Sequence, residues 1–197
     1  NVLNTADKVL VINGGSFGQR FVDLCQLYHR DFSEIRIEFG HQVLKSQLVE
    51  YAHAGYTALL VNMNETSSGT LYDMRLLSQF CRENHLLLIV DAISSFLCDE
   101  LNMQDLGAAV VITSSQKALA VHPGISAVTM SPSVLKRVDE NDDISMYLSF
   151  KSALKNGERG QTPFTPAVTV LLEIHQRLAH IEQNGGVSAE IERVGAI

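Results

Sequence analysis

The sequence is poor in cysteine, in clustered positive charge and in long apolar runs, and each shortage excludes a class of protein. The three cysteines, Cys25, Cys81 and Cys98, are odd in number and fit no metal-binding spacing, so we expect reduced and mostly buried thiols. No apolar run is long enough to cross a membrane, and no secretory signal is present. The net charge is −7, without a basic stripe. We therefore expect a cytoplasmic protein that binds neither nucleic acid nor a membrane.

The length favours a single domain. The 197 residues suffice for one sizeable core and are too few for two comfortable domains. Asn1 to Leu3 resembles the end of a helix that has already begun, and Val194 to Ile197 ends an amphipathic segment without a finishing element. We interpret residues 1–197 as one domain excised from a longer protein.

Apolar runs alternate with amphipathic segments along the chain. Short buried strands are predicted at 8–13, 57–62, 86–91, 108–113 and 125–130, with a further strand through Ile35, Ile37 and Phe39. Helices are predicted from Phe17 to Tyr28, over 42–54, over 71–81, and from Thr165 and Pro166 to Ile181. In the last helix, Thr165 is the expected N-cap, and Gly185-Gly186 follow as a break. This rhythm predicts an α/β fold with a mainly parallel sheet covered on both faces.

Polar clusters follow four of the predicted strands. They are Asn13 to Gly18, Asn64 to Gly69, Asp91 to Ser95, and Thr113 to Lys117. Ligands in such sheets gather at the carboxyl ends of the strands. Four polar loops along one edge therefore predict a polar pocket.

Asp91 ends a strongly apolar strand, so its carboxylate is expected to be partly desolvated and to need a partner. In one interpretation it caps a helix or loop. In the other it pairs with the protonated ring nitrogen of a cofactor such as pyridoxal phosphate, which is a better electron sink when protonated.

Lys117 follows the next strand, among small and apolar neighbours. It is either an ordinary surface lysine or a lysine enclosed among such groups. Enclosure would favour the neutral amine that attacks an aldehyde. The placement of Asp91 and Lys117 at successive strand ends is what a cofactor held as a Schiff base requires.

Other chemistries fit the sequence less well. The loop from Gly14 to Gly18 lacks the spacing of a dinucleotide fingerprint, and the serines lack that of a nucleophile elbow. Phe17, in the same loop, is either a core residue or a ring that stacks on a flat cofactor. His122 is interpreted as structural or exposed, and no motif indicates a metal enzyme.

These motifs together resemble the class V aminotransferases, and their order and spacing carry the resemblance over nearly the whole chain. The segments are Asn13 to Arg20, Glu65 to Gly69, Val90 to Phe96, Ser114 to Leu119, Pro123-Gly124 and Thr162 to Pro166. The most similar groups are the alanine–glyoxylate (serine–pyruvate) and the 2-aminoethylphosphonate–pyruvate aminotransferases. Gln116 before Lys117 is unlike the cysteine desulfurases.

The resemblance implies a fold and a set of roles. The fold is the three-layer α/β/α sandwich of fold type I pyridoxal-phosphate transferases, with strand 125–130 antiparallel in a mainly parallel mixed sheet. The implied roles are Lys117 as Schiff-base lysine and proton carrier, Asp91 on the pyridine nitrogen, Phe17 and Ile93 on the two ring faces, Thr66 near a ring substituent, Gln116 on the phosphate, and Thr165 on the phosphate of the neighbouring subunit. The last role implies a homodimer with shared active sites.

The resemblance also implies what lies outside the chain. The family's glycine-rich phosphate loop would precede Asn1, and its small C-terminal domain, with the arginine that binds the substrate carboxylate, would follow Ile197. Residues 1–197 would then be the large cofactor-binding domain, truncated at both ends. Thr162 stands where some relatives have a phosphate-binding tyrosine.

The expected activity is ping-pong transfer of an amino group from a small donor of the alanine, serine or 2-aminoethylphosphonate type to pyruvate or glyoxylate. Two alternatives remain open. One is a non-catalytic fragment or interaction module of an aminotransferase-like protein, and the other is a lyase of the same fold.

Overall fold

A computed structural model describes residues 1–142 and 145–196 of the chain. Its elements, in order, are β1 (Lys8–Asn13), α1 (Ser16–Leu27), β2 (Asp31–Arg36), α2 (Lys45–Val49), β3 (Ala58–Asn62), β4 (Asn64–Glu65), β5 (Thr70–Leu71), α3 (Met74–Asn84), β6 (Leu87–Asp91), α4 (Met103–Leu106), β7 (Ala108–Ser114), β8 (Ser126–Met130), α5 (Pro132–Glu140), α6 (Phe150–Gly157), α7 (Val168–Gln183) and α8 (Gly186–Gly195).

A six-stranded sheet in the order β2-β1-β3-β6-β7-β8 organises the chain. Within this sheet, the neighbouring strands β2, β1, β3, β6 and β7 pair in parallel. The last strand, β8, pairs antiparallel to β7, with Val111 opposite Thr129. The expectation of one antiparallel strand over 125–130 is confirmed. Because β1, β3, β6 and β7 run parallel, their carboxyl ends meet at one edge of the sheet.

The two faces of the sheet bury separate apolar cores, which makes the three layers. Leu10 and Ile12 of β1 point to the core that α2, α3 and α4 cover. Val9 and Val11 of the same strand point to the opposite core, which α1, α5 and α6 cover. Side chains alternate across a strand, so continuous apolar runs are what a sheet covered on both faces needs. The predicted α/β/α sandwich is confirmed.

The strand predicted through Ile35, Ile37 and Phe39 is displaced. β2 spans Asp31–Arg36 because it pairs with β1 along that strand's whole length and β1 ends at Asn13. One further bond, from Ile37 N to Asn13 O at 2.8 Å, closes the pair. Phe39 lies beyond it and is 63% exposed.

Two helix predictions also need correction. The helix expected over 42–54 is only α2, because the chain leaves it in turns and adopts positive φ angles of 54° at His53 and 79° at Gly55. α7 begins at Val168 with Ala167 as N-cap, whose ψ of 74° is not helical. Thr165 is therefore not the N-cap and Pro166 precedes the helix. The break at Gly185-Gly186 is present between α7 and α8.

Most large apolar side chains of α7 are exposed. Val168, Leu171, Leu172 and Leu178 face solvent, whereas Ile181 packs against Leu97 and Leu119.

Candidate functional site

A cavity of about 430 Å³ opens at the edge where the parallel strands end. Six predicted site residues line it, namely Phe17, Thr66, Asp91, Ile93, Gln116 and Lys117. Arg20, Asn62 and Ser94 line it as well. Thr165 does not; it is exposed in the segment before α7. The four polar loops therefore converge as the strand-end argument expects.

Asp91 is the carboxylate of this cavity and lies at the end of β6. Its Oδ2 accepts a hydrogen bond from Asn62 Nδ2 at 3.0 Å, and its Oδ1 accepts one from the backbone N–H of Ile93 at 2.9 Å. Burial raises the pKa of Asp91, while these two hydrogen bonds lower it. Asp91 thus caps its own loop, as one interpretation of the sequence expects, and it also lines the cavity.

Asn62, at the end of β3, is a site residue that the sequence analysis missed. It is buried, and its Oδ1 has no hydrogen-bond partner among the described residues. A buried amide oxygen without a hydrogen-bond partner costs free energy. A polar group bound in the cavity could donate to this oxygen and offset that cost. The signal was available, because Asn62 ends a buried strand just as Asp91 does.

Lys117 lies in the turn after β7, and its side chain is exposed. Its exposure agrees with the interpretation as a surface lysine and contradicts enclosure by small and apolar neighbours, since residues adjacent in sequence do not surround the amine in space. The turn itself is well held. The hydroxyl of Ser115 donates to His122 O at 2.8 Å and accepts from Ile125 N at 3.3 Å, so the amine extends from a braced loop.

The aromatic wall of the cavity carries a cation. Arg20 Cζ lies 4.7 Å from the ring centroid of Phe17, one turn apart on α1. Phe17 is half-buried. On the neighbouring loops, the hydroxyls of Thr66 and Ser94 form a hydrogen bond of 2.6 Å.

The first turn of α1 is capped by residues from a distant strand. Glu65 accepts hydrogen bonds from the N–H groups of Phe17 at 3.3 Å and Gly18 at 2.8 Å, and Ser67 Oγ accepts one from Ser16 N at 2.9 Å. A pyrophosphate would need these amides, so the structure disfavours the dinucleotide alternative. Sequence reasoning missed Glu65 because an acid in a polar loop is usually solvated.

His122 lies away from this cavity. Its ring is exposed and its Nδ1 is 2.9 Å from Glu173 Oε1, so it links the Lys117 loop to α7. Hydrogen bonds from the backbone and ring of His122 lower the pKa of Glu173. Within residues 1–142 and 145–196, no cluster of His, Cys, Asp and Glu is suited to a metal ion. In the same residues no helix has the length and apolar character needed to span a membrane.

The chain is similar in sequence to known proteins. The model of the family "Aminotransferase class-V" matches residues 21–183. An uncharacterized aminotransferase of Methanocaldococcus jannaschii is 30% identical, over 94% of this chain and 49% of the relative. The 42 kDa subunit of a soluble hydrogenase from Anabaena cylindrica is 27% identical, over 94% and 50%. The 2-aminoethylphosphonate–pyruvate transaminase of Pseudomonas putida is 27% identical, over 94% and 51%.

Solved structures agree in fold. The aspartate aminotransferase of subgroup IV from Thermus thermophilus superposes with a TM-score of 0.87 at 25% identity, over 98% of this chain and 53% of that one. The alanine–glyoxylate aminotransferase of a Nostoc species gives a TM-score of 0.89 at 23% identity, over 98% and 52%. Fold and sequence match together define an aminotransferase-type protein. The chain belongs to the class V aminotransferases, and it spans about half the length of the curated relatives it matches.

Proposed function

We propose that the protein is a pyridoxal-phosphate-dependent transaminase that moves an amino group from a small donor, of the alanine, serine or 2-aminoethylphosphonate type, to pyruvate or glyoxylate. The observation that carries the proposal is the meeting of Asp91 and Lys117 in one cavity at the carboxyl ends of β6 and β7. Membership of class V and relatives named as such transaminases support it. Residues 1–197 are proposed as the large cofactor-binding domain of a cytoplasmic enzyme.

The residues present fit the cofactor. A volume of about 430 Å³ is in the range of small-molecule sites. The walls offer a carboxylate, an amine, a hydroxyl and an aromatic ring, and the unpartnered Oδ1 of Asn62 lies among them. In this proposal Asp91 faces the pyridine nitrogen, Phe17 and Ile93 cover the ring, and Thr66 bonds near a ring substituent. Gln116 reaches the phosphate.

Each residue has a chemical task. When bound, the cofactor supplies an aldehyde for covalent attachment and a ring that withdraws electrons from the reacting carbon. Lys117 would hold the cofactor through its Nζ and would carry the α proton of the substrate. Asp91, held by Asn62 and Ile93, would pair with the protonated ring nitrogen and so favour electron withdrawal by the ring.

We also propose a homodimer with shared sites, as the family resemblance implies. Thr165 is exposed outside the cavity of its own chain, which suits a residue that reaches the phosphate of the neighbouring subunit. Leu171 and Leu172 of the adjoining helix expose apolar surface. Light scattering of the intact protein should give twice the mass of one chain, and a monomer would contradict this part of the proposal.

The test of the function is chemical. The intact protein should be yellow with pyridoxal phosphate, and borohydride should fix the cofactor on Lys117, as peptide mapping would show. Lys117→Ala should abolish this attachment. Lys155→Ala, an exposed lysine on α6, is the matched control and should change nothing.

The alternatives give different results. A protein that stays colourless with added cofactor, with Lys117→Ala behaving as wild type, would be a non-catalytic module. A yellow protein that releases products from amino donors without needing pyruvate or glyoxylate would be a lyase. Amino donors assayed against both acceptors identify the substrate pair.

A further inference from the structure

The carboxylate of Glu65 is completely buried, with 0% of its surface exposed. It faces the start of α1, whose first N–H groups have no partner within the helix. Gly15, the N-cap, has no side chain to supply one. Glu65 accepts from Phe17 N and Gly18 N, and its negative charge lies at the positive end of the helix dipole.

Ser67 completes the connection. Its hydroxyl donates to Glu65 Oε1 at 2.6 Å and accepts from Ser16 N at 2.9 Å, and its own N–H donates to Glu65 Oε1 at 3.1 Å. The loop after β3 is therefore bonded to the first turn of α1 by several short polar contacts. Hydrogen bonds to a charged group are stronger than neutral ones, so this connection is stiff.

This connection adjoins the proposed cofactor cavity through two lining residues. Glu65 precedes Thr66 in sequence and accepts a hydrogen bond from the backbone of Phe17, and both residues line the cavity. One side chain thus fixes the spacing between an aromatic wall and a hydroxyl wall. Glu65 does not itself line the cavity.

We propose that Glu65 is a positioning residue for the cofactor site: by holding Phe17 and Thr66 at a fixed separation, it shapes the slot for a flat ring. The inference rests on the proposed function. It assigns Glu65 a role in affinity for the cofactor and in its orientation, beyond the stability that any helix cap contributes.

A second capping carboxylate provides the control. Asp73, on the surface at the start of α3, accepts hydrogen bonds from Arg75 N at 3.0 Å and Leu76 N at 3.1 Å. It caps a helix as Glu65 does, but the residues it bonds, Arg75 and Leu76, do not line the cavity, whereas Phe17 does. Glu65→Gln and Asp73→Asn each remove a capping charge with little change in volume.

The experiment measures three quantities on the intact protein: the dissociation constant of pyridoxal phosphate, the visible circular dichroism per bound cofactor, and urea unfolding without cofactor. Glu65→Gln should weaken cofactor binding about tenfold, because Phe17 and Thr66 would no longer be held at a fixed separation, and should reduce the dichroism because the ring would be held less uniquely. Asp73→Asn should lower the urea midpoint and leave both cofactor measurements as in wild type.

Ser67→Ala is the second variant and decides the matter if Glu65→Gln does not fold. It keeps the buried charge and removes the hydroxyl bridge, so a smaller effect in the same direction is expected. If Glu65→Gln folds and keeps wild-type affinity and dichroism, the inference is overturned and the proposed function stands. If Glu65→Gln does not fold, the same result in Ser67→Ala overturns the inference. A wild type that takes up no pyridoxal phosphate would overturn both.

Discussion

Gly15→Ala should strongly destabilise the fold because the added methyl group has no room. The backbone conformation of Gly15 does not contribute to this effect. The φ angle of Gly15 is 172°, which is extended backbone that any residue adopts. A Cβ at this position would lie 2.2 Å from Ser67 Oγ and 2.7 Å from Glu65 Cδ. Neither neighbour can move freely, because each is held by the hydrogen bonds that cap α1.

The magnitude follows from two contributions. Crowding in a well-packed interior costs about 1–3 kcal/mol. Displacing Glu65 or Ser67 also loses at least one hydrogen bond to a charged group, at about 1.5–3 kcal/mol. We therefore expect Gly15→Ala to lower the free energy of unfolding by roughly 3–5 kcal/mol. With a urea m-value of about 2 kcal/mol/M, the midpoint would fall by roughly 2 M.

Equilibrium unfolding in urea measures this loss, and Gly157→Ala is the matched control. A Cβ on Gly157, the last residue of α6, meets nothing within 4 Å. Alanine favours helix over glycine by up to about 1 kcal/mol, so this variant should be neutral or slightly more stable. Equal midpoints for the two variants would refute the argument that the contact between α1 and the Glu65 loop is tight.

Three further outcomes are expected. Asp91→Asn should raise the free energy of unfolding of the cofactor-free protein near neutral pH, because burial raises the pKa of Asp91 and the ionised carboxylate therefore costs stability above that pKa. This gain in stability should vanish as the pH falls through the pKa of Asp91. The new amide can donate to Asn62 Oδ1, which has no partner in the described structure. A variant less stable than wild type in urea at neutral pH would contradict the prediction. Arg137→Met should cost about 3 kcal/mol in the same assay, the lower end of the range for a broken buried pair, because Asp7 loses its counter-charge but keeps hydrogen bonds from Asn4 N and Thr57 Oγ1. A loss below about 1 kcal/mol would show that the pair contributes little. Burial raises the pKa of the Cys25 thiol to about 11. Alkylation of Cys25 in mildly alkaline buffer should therefore be about a hundredfold slower than alkylation of a free thiol until the protein unfolds. Fast labelling of Cys25 in the folded protein would count against its burial.

The central strands could be predicted from sequence because their apolar runs are continuous and end at glycine or polar residues. Residues 86–91 are an example, since β6 spans Leu87–Asp91. The boundary of β2 could not be predicted, because its end depends on where β1 ends and not on its own alternation. Phe39 fits a strand pattern but lies beyond the end of β2 and is exposed. Here tertiary pairing overrides local pattern.

The candidate site was predictable where the chemistry lies at strand ends. The meeting of Asp91 and Lys117 follows because β6 and β7 are parallel neighbours in the sheet, so their carboxyl ends lie side by side. Glu65 was not predictable, because its donors belong to a helix far away in sequence. The sequence left open whether Lys117 is exposed or enclosed, since the surroundings of a residue are set by which loops approach it.

The parallel order of the strands has a consequence for how the protein is made. Phe17 and Lys117 line the same cavity, yet a hundred residues of chain separate them, and only non-local strand pairings bring them together. Pairings of this kind form late, because long loops must close first. A nascent chain that has not yet released β7 from the ribosome lacks the Lys117 side of this cavity. Under the proposed function, pyridoxal phosphate would stabilise only chains in which β7 has joined the sheet, so its uptake would report that step of folding.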